Sequence, residues 1–123
     1  MIAELEKPMS EKDFLTFVKD KMQCGSIRHS AFLKKSILKV AVLGGSGSFA
    51  IKNAIQAGAD VFLTSDLKYH NFYEAENQLL LADIGHFESE RYTKNYIVDF
   101  LRKKIPNFAV VLSEENTNPV KYL

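Results

Sequence analysis

The sequence predicts one α/β domain with three layers, in which helices cover both faces of a largely parallel or mixed sheet of about four to five strands. Three observations lead to this prediction. Four short apolar runs of the kind found in buried strands recur along the chain, and stretches with helical periodicity separate them. The 123 residues are also enough to bury a single core. The apolar runs cover residues 37–43, 60–64, 79–84 and 108–112.

The N-terminal part of the chain predicts a lead-in, a helix and a weak strand. Residues 1–9 are interpreted as the lead-in. Ser10 and the acidic residues after it are typical of a helix start, so a helix is expected over residues 11–21, with Gly25 stopping it. Residues 26–33 are expected to supply an edge strand.

The remaining predicted elements alternate in βαβ order. A GGSGS turn follows the first buried strand, and three helical stretches then lie between the strands, before a polar tail. Arg102 to Lys104 suit the negative end of the last helix, and Pro106 ends it. The helical stretches cover residues 49–56, 65–78 and 88–104.

Composition excludes several classes of protein. The 16 basic and 15 acidic residues leave a formal charge of +1, which argues against a nucleic-acid binder and against a protein that binds anionic membranes. The single cysteine, Cys24, cannot form an internal disulfide. Acidic residues and a proline interrupt the N-terminus, which therefore resembles neither a signal peptide nor a membrane anchor. The expected location is the cytosol.

A glycine-rich segment follows the first buried strand. Gly45-Ser46-Gly47-Ser48-Phe49-Ala50 fits the pattern G-x-G-x-x-A, and Asp66 follows at about the spacing of the ribose-binding acid in dinucleotide-binding folds. One interpretation is therefore a module that binds a nucleotide or another anion without catalysis, through Gly45, Ser46, Gly47, Ser48 and Asp66. The alternative is a strand-to-helix connection that needs glycine for its backbone conformation alone.

Two pairs of an acid and a histidine follow later strand ends, where ligands bind in parallel sheets. His86 and Glu90 are four residues apart at the start of a predicted helix, so both side chains should lie on one helix face and could bind zinc, iron or manganese. Asp66 and His70 repeat this spacing one strand earlier. The competing interpretation is that the acids only stabilise helix N-termini.

Three segments in this order and spacing carry a family resemblance: VAVLGGSGSF, AGADVFLTSDLKYH and LADIGHFESE. Over residues 37–123 the chain resembles the C-terminal half of the Nif-three-like family, also called GTP cyclohydrolase I type-two homologues. The resemblance implies that the chain is the C-terminal half of a longer parent protein. That parent is expected to be a homo-oligomer that carries two divalent metal ions per site.

The family's Gly-His-x-x-x-Glu motif corresponds to residues 85–90, so the resemblance implies that His86 and Glu90 are metal ligands. It also implies that Asp66, His70 and the GGSGS segment line the same pocket, with His70 acting as an acid/base or in orienting the substrate. The substrate of the parent, expected to be a metal-dependent hydrolase, would be a nucleotide or another phosphorylated small molecule. The N-terminal ligands have no counterpart here, so the chain alone is expected to be inactive, with at most weak metal affinity.

Overall fold

The structure is a computed structural model that describes residues 1–75 and 77–123. Within these ranges five strands form one mixed sheet, and helices pack on both of its faces. The strands are β1 (Ile2–Ser10), β2 (Arg28–His29), β3 (Ser36–Ser46), β4 (Val61–Ser65) and β5 (Leu80–Asp83). The helices are α1 (Glu11–Met22), α2 (Ile51–Gln56), α3 (His86–Glu90) and α4 (Thr93–Lys104), with 3₁₀ turns at Ser48–Ala50 and Tyr69–Ala75.

The sheet has the order β1-β3-β4-β5-β2. Its three central strands are parallel, as the apolar runs predicted, while β1 and β2 lie antiparallel at the two edges. The carboxyl ends of β3, β4 and β5 therefore meet at one edge of the sheet, which is where parallel sheets bind ligands.

Each face of the sheet has its own apolar core. One core joins Phe14 and Val18 of α1 to Val61 and Leu63 of β4, and the other joins Ile51 of α2 to Phe62 of the same strand. Because side chains of a strand alternate between its faces, β4 supplies both cores and is buried throughout. This arrangement confirms the predicted three-layer architecture.

The first helix agrees with the prediction at its start and differs at its end. The Ser10 side chain accepts a hydrogen bond from the Asp13 N–H at 3.1 Å, which satisfies a free donor of the first turn. The helix ends at Gln23, which has a left-handed backbone with φ 53°, and not at Gly25. None of the helices in the described ranges has the length and hydrophobicity needed to cross a bilayer.

The interpretation of residues 1–9 as a lead-in was wrong, because β1 pairs antiparallel with β3. An edge strand with one solvated face needs no continuous apolar run, and most side chains of β1 are exposed. Its register is irregular between Glu4 and Met9, the stretch that contains Pro8, and proline is tolerated at such positions of an edge strand.

The predicted strand over residues 108–112 was also wrong. This segment has no regular structure, and Phe108 and Val111 are exposed. The two edges of the sheet are formed by β1 and β2, and the segment pairs with neither of them. Apolar composition predicted a strand, but composition alone does not show whether a segment pairs with the sheet.

Two predicted helices differ from the structure. The stretch 65–78 contains the end of β4, a loop and a 3₁₀ turn in place of an α-helix, and Glu76 of the predicted helix lies outside the described residues. The stretch 88–104 is divided into α3 and α4. At the division, the Tyr92 hydroxyl donates to the Lys21 carbonyl at 2.9 Å, a tertiary contact that helical periodicity cannot reveal.

Candidate functional site

A cavity of about 900 Å³ lies beside the carboxyl ends of β4 and β5. Asp66 follows β4 directly, Asp83 is the last residue of β5, and His86 begins α3; all three line the cavity. Residues of the C-terminal segment, from Ser113 to Tyr122, line it from the other side. The cavity thus lies at the edge of the sheet where the sequence placed a ligand site.

His86 and Glu90 lie on one face of α3, as their spacing predicted. His86 Nε2 is 3.2 Å from Glu90 Oε2, and both side chains are 52% exposed. The two donors are therefore close to each other and accessible from the cavity. The structure confirms their proximity, and their role as metal ligands stays a prediction.

Asp66 contacts His86 and not the histidine that its own segment supplies. Its Oδ2 lies 2.6 Å from His86 Nδ1, which raises the pKa of His86 above its usual value, and Glu90 raises this pKa further. The expected pairing of Asp66 with His70 on one helix face was wrong, because residues 66–68 are not helical and Asp66 has a left-handed φ of 56°.

His70 lies in the 3₁₀ turn and is exposed. Its ring is edge-on to Tyr69, with 5.2 Å between the ring centroids, and it is not among the described residues that line the cavity. A part in acid/base catalysis or substrate orientation therefore stays a prediction for His70.

The glycine-rich segment was predicted to be a turn, but β3 continues through its first residues to Ser46. Gly45 has φ 71°, and its N–H donates to Ser89 Oγ of α3 at 2.8 Å. A Cβ at this position would lie 2.6 Å from Glu90 Oε1. The glycine is therefore explained by the close approach of α3 to the strand.

The rest of the segment is packed in a similar way. A Cβ on Gly47 would lie 2.1 Å from Thr64 Oγ1, while Ser46 is exposed and Ser48 begins the short 3₁₀ turn before α2. The Gly45 amide, which would face an anion in a dinucleotide-binding fold, is already bonded within the protein. Cofactor binding by Gly45, Ser46, Gly47, Ser48 and Asp66 stays a prediction.

Asp83 is a site residue that the sequence analysis missed. It is buried, its Oδ2 accepts hydrogen bonds from Arg28 and from the Leu67 N–H at 3.0 Å, and its Oδ1 accepts from the Gly85 N–H at 3.1 Å. Arg28 also donates to the Leu67 carbonyl at 2.8 Å. An acid at the end of the apolar run LLLADI was the available signal, because buried acids are nearly always paired.

Glu88 of α3 is a second buried acid at the cavity, with 5% of its surface exposed. Its Oε1 accepts a hydrogen bond from Asn118 Nδ2 at 3.2 Å, which links α3 to the C-terminal segment. Burial raises the pKa of Tyr122, and the nearby Glu88 carboxylate raises it further. Asn118 and Glu88 are 30 residues apart in sequence, so no local pattern pointed to their hydrogen bond.

The donors at the cavity suit a divalent metal but do not surround one. No group of three or more potential ligands that could hold a metal ion occurs among residues 1–75 and 77–123. Asp66 and Glu90 contact opposite nitrogens of the His86 ring, so the three side chains cannot converge on a single ion in this arrangement. His86 Nε2 and Glu90 Oε2 are 3.2 Å apart, so these two donors lie next to each other.

Comparison with known proteins matches the chain to one protein family and to curated proteins of one name. A family model described as Duf34/NIF3 (NGG1p interacting factor 3) matches residues 1–119. A Staphylococcus epidermidis protein named GTP cyclohydrolase 1 type 2 homolog is 37% identical over 127 residues, which cover 99% of this chain and 34% of that protein. A Staphylococcus aureus protein of the same name is 31% identical, with 100% of this chain and 35% of that protein covered.

Solved structures of proteins similar to this chain also match it over nearly its whole length. A Bacillus cereus protein related to NIF3 superposes with a TM-score of 0.92 at 31% identity, covering 99% of this chain and 35% of that protein. The structure of the Staphylococcus aureus protein SA1388 gives a TM-score of 0.85 at 30% identity, covering 99% of this chain and 41% of that one. The chain thus spans well under half the length of these relatives.

Proposed function

The chain belongs to the Duf34/NIF3 family, and on that basis we propose that it supplies part of a divalent-metal site through His86 Nε2 and the Glu90 carboxylate. The observation that supports the proposal is the 3.2 Å distance between His86 Nε2 and Glu90 Oε2. Nitrogen and oxygen ligands about 2.1 Å from one ion lie roughly 3.0–3.4 Å apart in tetrahedral or octahedral geometry. The pair could therefore bind one cation with little rearrangement.

Two ligands are fewer than a catalytic site usually takes from protein. The staphylococcal relatives are about three times as long as the matched region, since that region covers 34% of the first of them. We propose that the missing ligands come from the part of a longer protein that precedes this region, and that the complete site holds two ions. For the 123-residue chain alone, this predicts weak binding.

A hydrolytic reaction on a small molecule suits this cavity. When bound, a pair of divalent ions supplies Lewis-acid catalysis and an activated water. Arg28, Arg91 and Lys94 line the same cavity and offer cationic groups for a phosphate, and the relatives' name points to GTP as one nucleotide to test. His70 is proposed to act in acid/base catalysis or in orienting the substrate, by approaching the cavity when substrate binds.

Association of the longer protein into a homo-oligomer is part of the proposal. Tyr96, Ile97 and Phe100 of α4 are exposed, although they are large and apolar. Clusters of such side chains are common where another protein surface packs.

Zinc titration by calorimetry tests the metal proposal. We expect weak binding to the 123-residue chain, abolished by His86→Ala and by Glu90→Gln. His29→Ala is the matched control, since His29 is exposed on β2 and is not among the residues that line the cavity. Binding that survives both site substitutions would contradict the assignment of the ligands. One tight site per monomeric chain would contradict the proposal that the site is incomplete.

A further inference from the structure

Asp66 has a backbone conformation that few residues adopt. Its φ is 56°, in the left-handed region where aspartate and asparagine are tolerated better than other residues with a side chain. The next residue, Leu67, is fixed through both backbone groups: its N–H donates to Asp83 and its carbonyl accepts from Arg28. The loop that holds the Asp66 side chain against His86 is thus anchored to a buried carboxylate.

The His86 ring lies between two carboxylates. Nδ1 is 2.6 Å from Asp66 Oδ2 and Nε2 is 3.2 Å from Glu90 Oε2. A neutral imidazole carries one proton, and the other nitrogen then presents a lone pair. Because the contact with Asp66 is the shorter one, the proton is expected on Nδ1, which leaves the Nε2 lone pair facing Glu90.

We infer that Asp66 is a positioning residue for His86: its carboxylate accepts the Nδ1 proton and holds the Nε2 lone pair toward Glu90. Asp66 is not itself a ligand in this arrangement, since it lies at the opposite nitrogen. A carboxylate behind a metal-binding histidine fixes the ring tautomer and orientation in many metal sites. The consequence for metal binding rests on the proposed function, whereas the effect on the tautomer does not.

The tautomer can be observed without any metal. Long-range ¹H–¹⁵N correlation spectra of the histidine-labelled chain, recorded above the pKa of His86, should show the Nδ1–H form in the wild type. In Asp66→Asn the new amide can donate to Nδ1 while Glu90 accepts from Nε2, so the Nε2–H form is expected. Asparagine tolerates the backbone of residue 66, so the fold should be kept.

Two controls accompany this measurement. Glu90→Gln removes the other carboxylate and should leave the proton on Nδ1. Asp99→Asn makes the same charge change at an exposed residue of α4 and should leave the His86 signals unchanged. An Nε2–H wild type, or the same tautomer in the wild type and in Asp66→Asn, would overturn the inference.

A second readout is zinc affinity, measured by competition with a chelating dye. Asp66→Asn should weaken binding about 10- to 100-fold, and Asp99→Asn should have no effect. Equal affinity of the wild type and Asp66→Asn would overturn the positioning role. If the tautomer switches as expected but the wild type binds no zinc, the proposed metal site fails while the hydrogen-bonding role of Asp66 stands.

Discussion

The cavity has two walls that are built in different ways. The sheet wall consists of four residues that end a strand, follow one or lie on α3: Asp83, Asp66, His86 and Glu90. The tail wall is the C-terminal segment 113–122, which has no regular structure. The sheet wall is held by the buried Asp83 carboxylate, which accepts several hydrogen bonds. Among the described residues two side-chain hydrogen bonds join the tail wall to the helices: Asn118 donates to Glu88 of α3, and Lys94 of α4 donates to the Ser113 carbonyl.

This difference separates two tasks. The side chains with metal-binding chemistry lie on the wall that the hydrogen bonds of Asp83 hold, and preorganised ligands are what a metal site needs. The tail wall contributes mainly volume and cover. Substitutions in the sheet wall should therefore change both the free energy of unfolding and the geometry at His86. Substitutions in the tail wall should change mainly how well the segment 113–122 covers the cavity.

The largest effect is expected for Asp83→Ala. The substitution leaves the Leu67 and Gly85 amides and the Arg28 guanidinium without their acceptor, and we expect a loss of about 3 kcal/mol in the free energy of unfolding. Urea denaturation measures it, with Asp99→Ala on the exposed surface as the control. A loss no larger than that of the control would show that the sheet wall does not depend on this carboxylate.

Gly45→Ala should have the next largest effect. The alanine methyl group would lie 2.6 Å from Glu90 Oε1, and the alanine backbone would have to adopt a φ of 71°. We therefore expect the free energy of unfolding to fall by roughly 2 kcal/mol and the Glu90 side chain to move away from His86. Gly58→Ala is the matched control, because its φ is 66° but nothing lies within 4 Å of the added carbon. Similar losses in the two variants would mean that only backbone strain matters at residue 45.

Asn118→Ala should cost less, about 1 kcal/mol, because the two hydrogen bonds that it removes, to Glu88 and from the exposed Val120 N–H, are both at the cavity rim and involve no fully buried network. Hydrogen exchange should become faster in residues 113–122 and stay unchanged in β4 and β5. The nitrogen signals of His86 should also stay unchanged. A change in those signals would contradict the division between the two walls.

The smallest effect on stability concerns Cys24. Burial, and to a smaller extent the Glu88 carboxylate, raises the pKa of its thiol from 9.0 to about 11. The unfolded thiol ionises first, so its contribution to stability is complete below pH 9 and is lost as the pH rises toward 11. A Cys24→Ser variant should show a flatter decline of stability over this interval.

The same thiol can report on the tail wall. Alkylation of Cys24 by iodoacetamide should be slow at pH 8, since little thiolate is present. Alkylation should become faster in Tyr122→Ala, because the Tyr122 ring packs against Gly25, the residue next to Cys24. The packing is close enough that a Cβ added to Gly25 would lie 2.1 Å from the ring. Equal rates in the wild type and the variant would show that the tail does not cover the thiol.

Local patterns predicted the parts of the molecule that local interactions determine. The buried runs became β3, β4 and β5, and the spacing of His86 and Glu90 on one helix turn was confirmed. The segment 108–112 has the composition of a buried strand, yet it pairs with no strand of the sheet and its large apolar side chains are exposed, because pairing depends on tertiary structure that composition does not encode.

The missed parts of the site depend on distant residues or on unusual backbone. Asp83 and Arg28 are 55 residues apart, and the contact of Asp66 with His86 needs the left-handed turn after β4. A helix was predicted over residues 65–78, with Asp66 at its start. Only the tertiary structure shows that Asp66 turns away from His70.

Gly45 has a further consequence for the evolution of the protein. Its missing side chain is the space that the Glu90 carboxylate occupies, and its amide binds the neighbouring Ser89. A position that could hold an external anion in another fold is here filled by an acidic side chain of the same molecule. Substitutions at positions 45 and 90 are therefore coupled: a side chain at position 45, already strained by its φ of 71°, should be accepted only when residue 90 is smaller than glutamate.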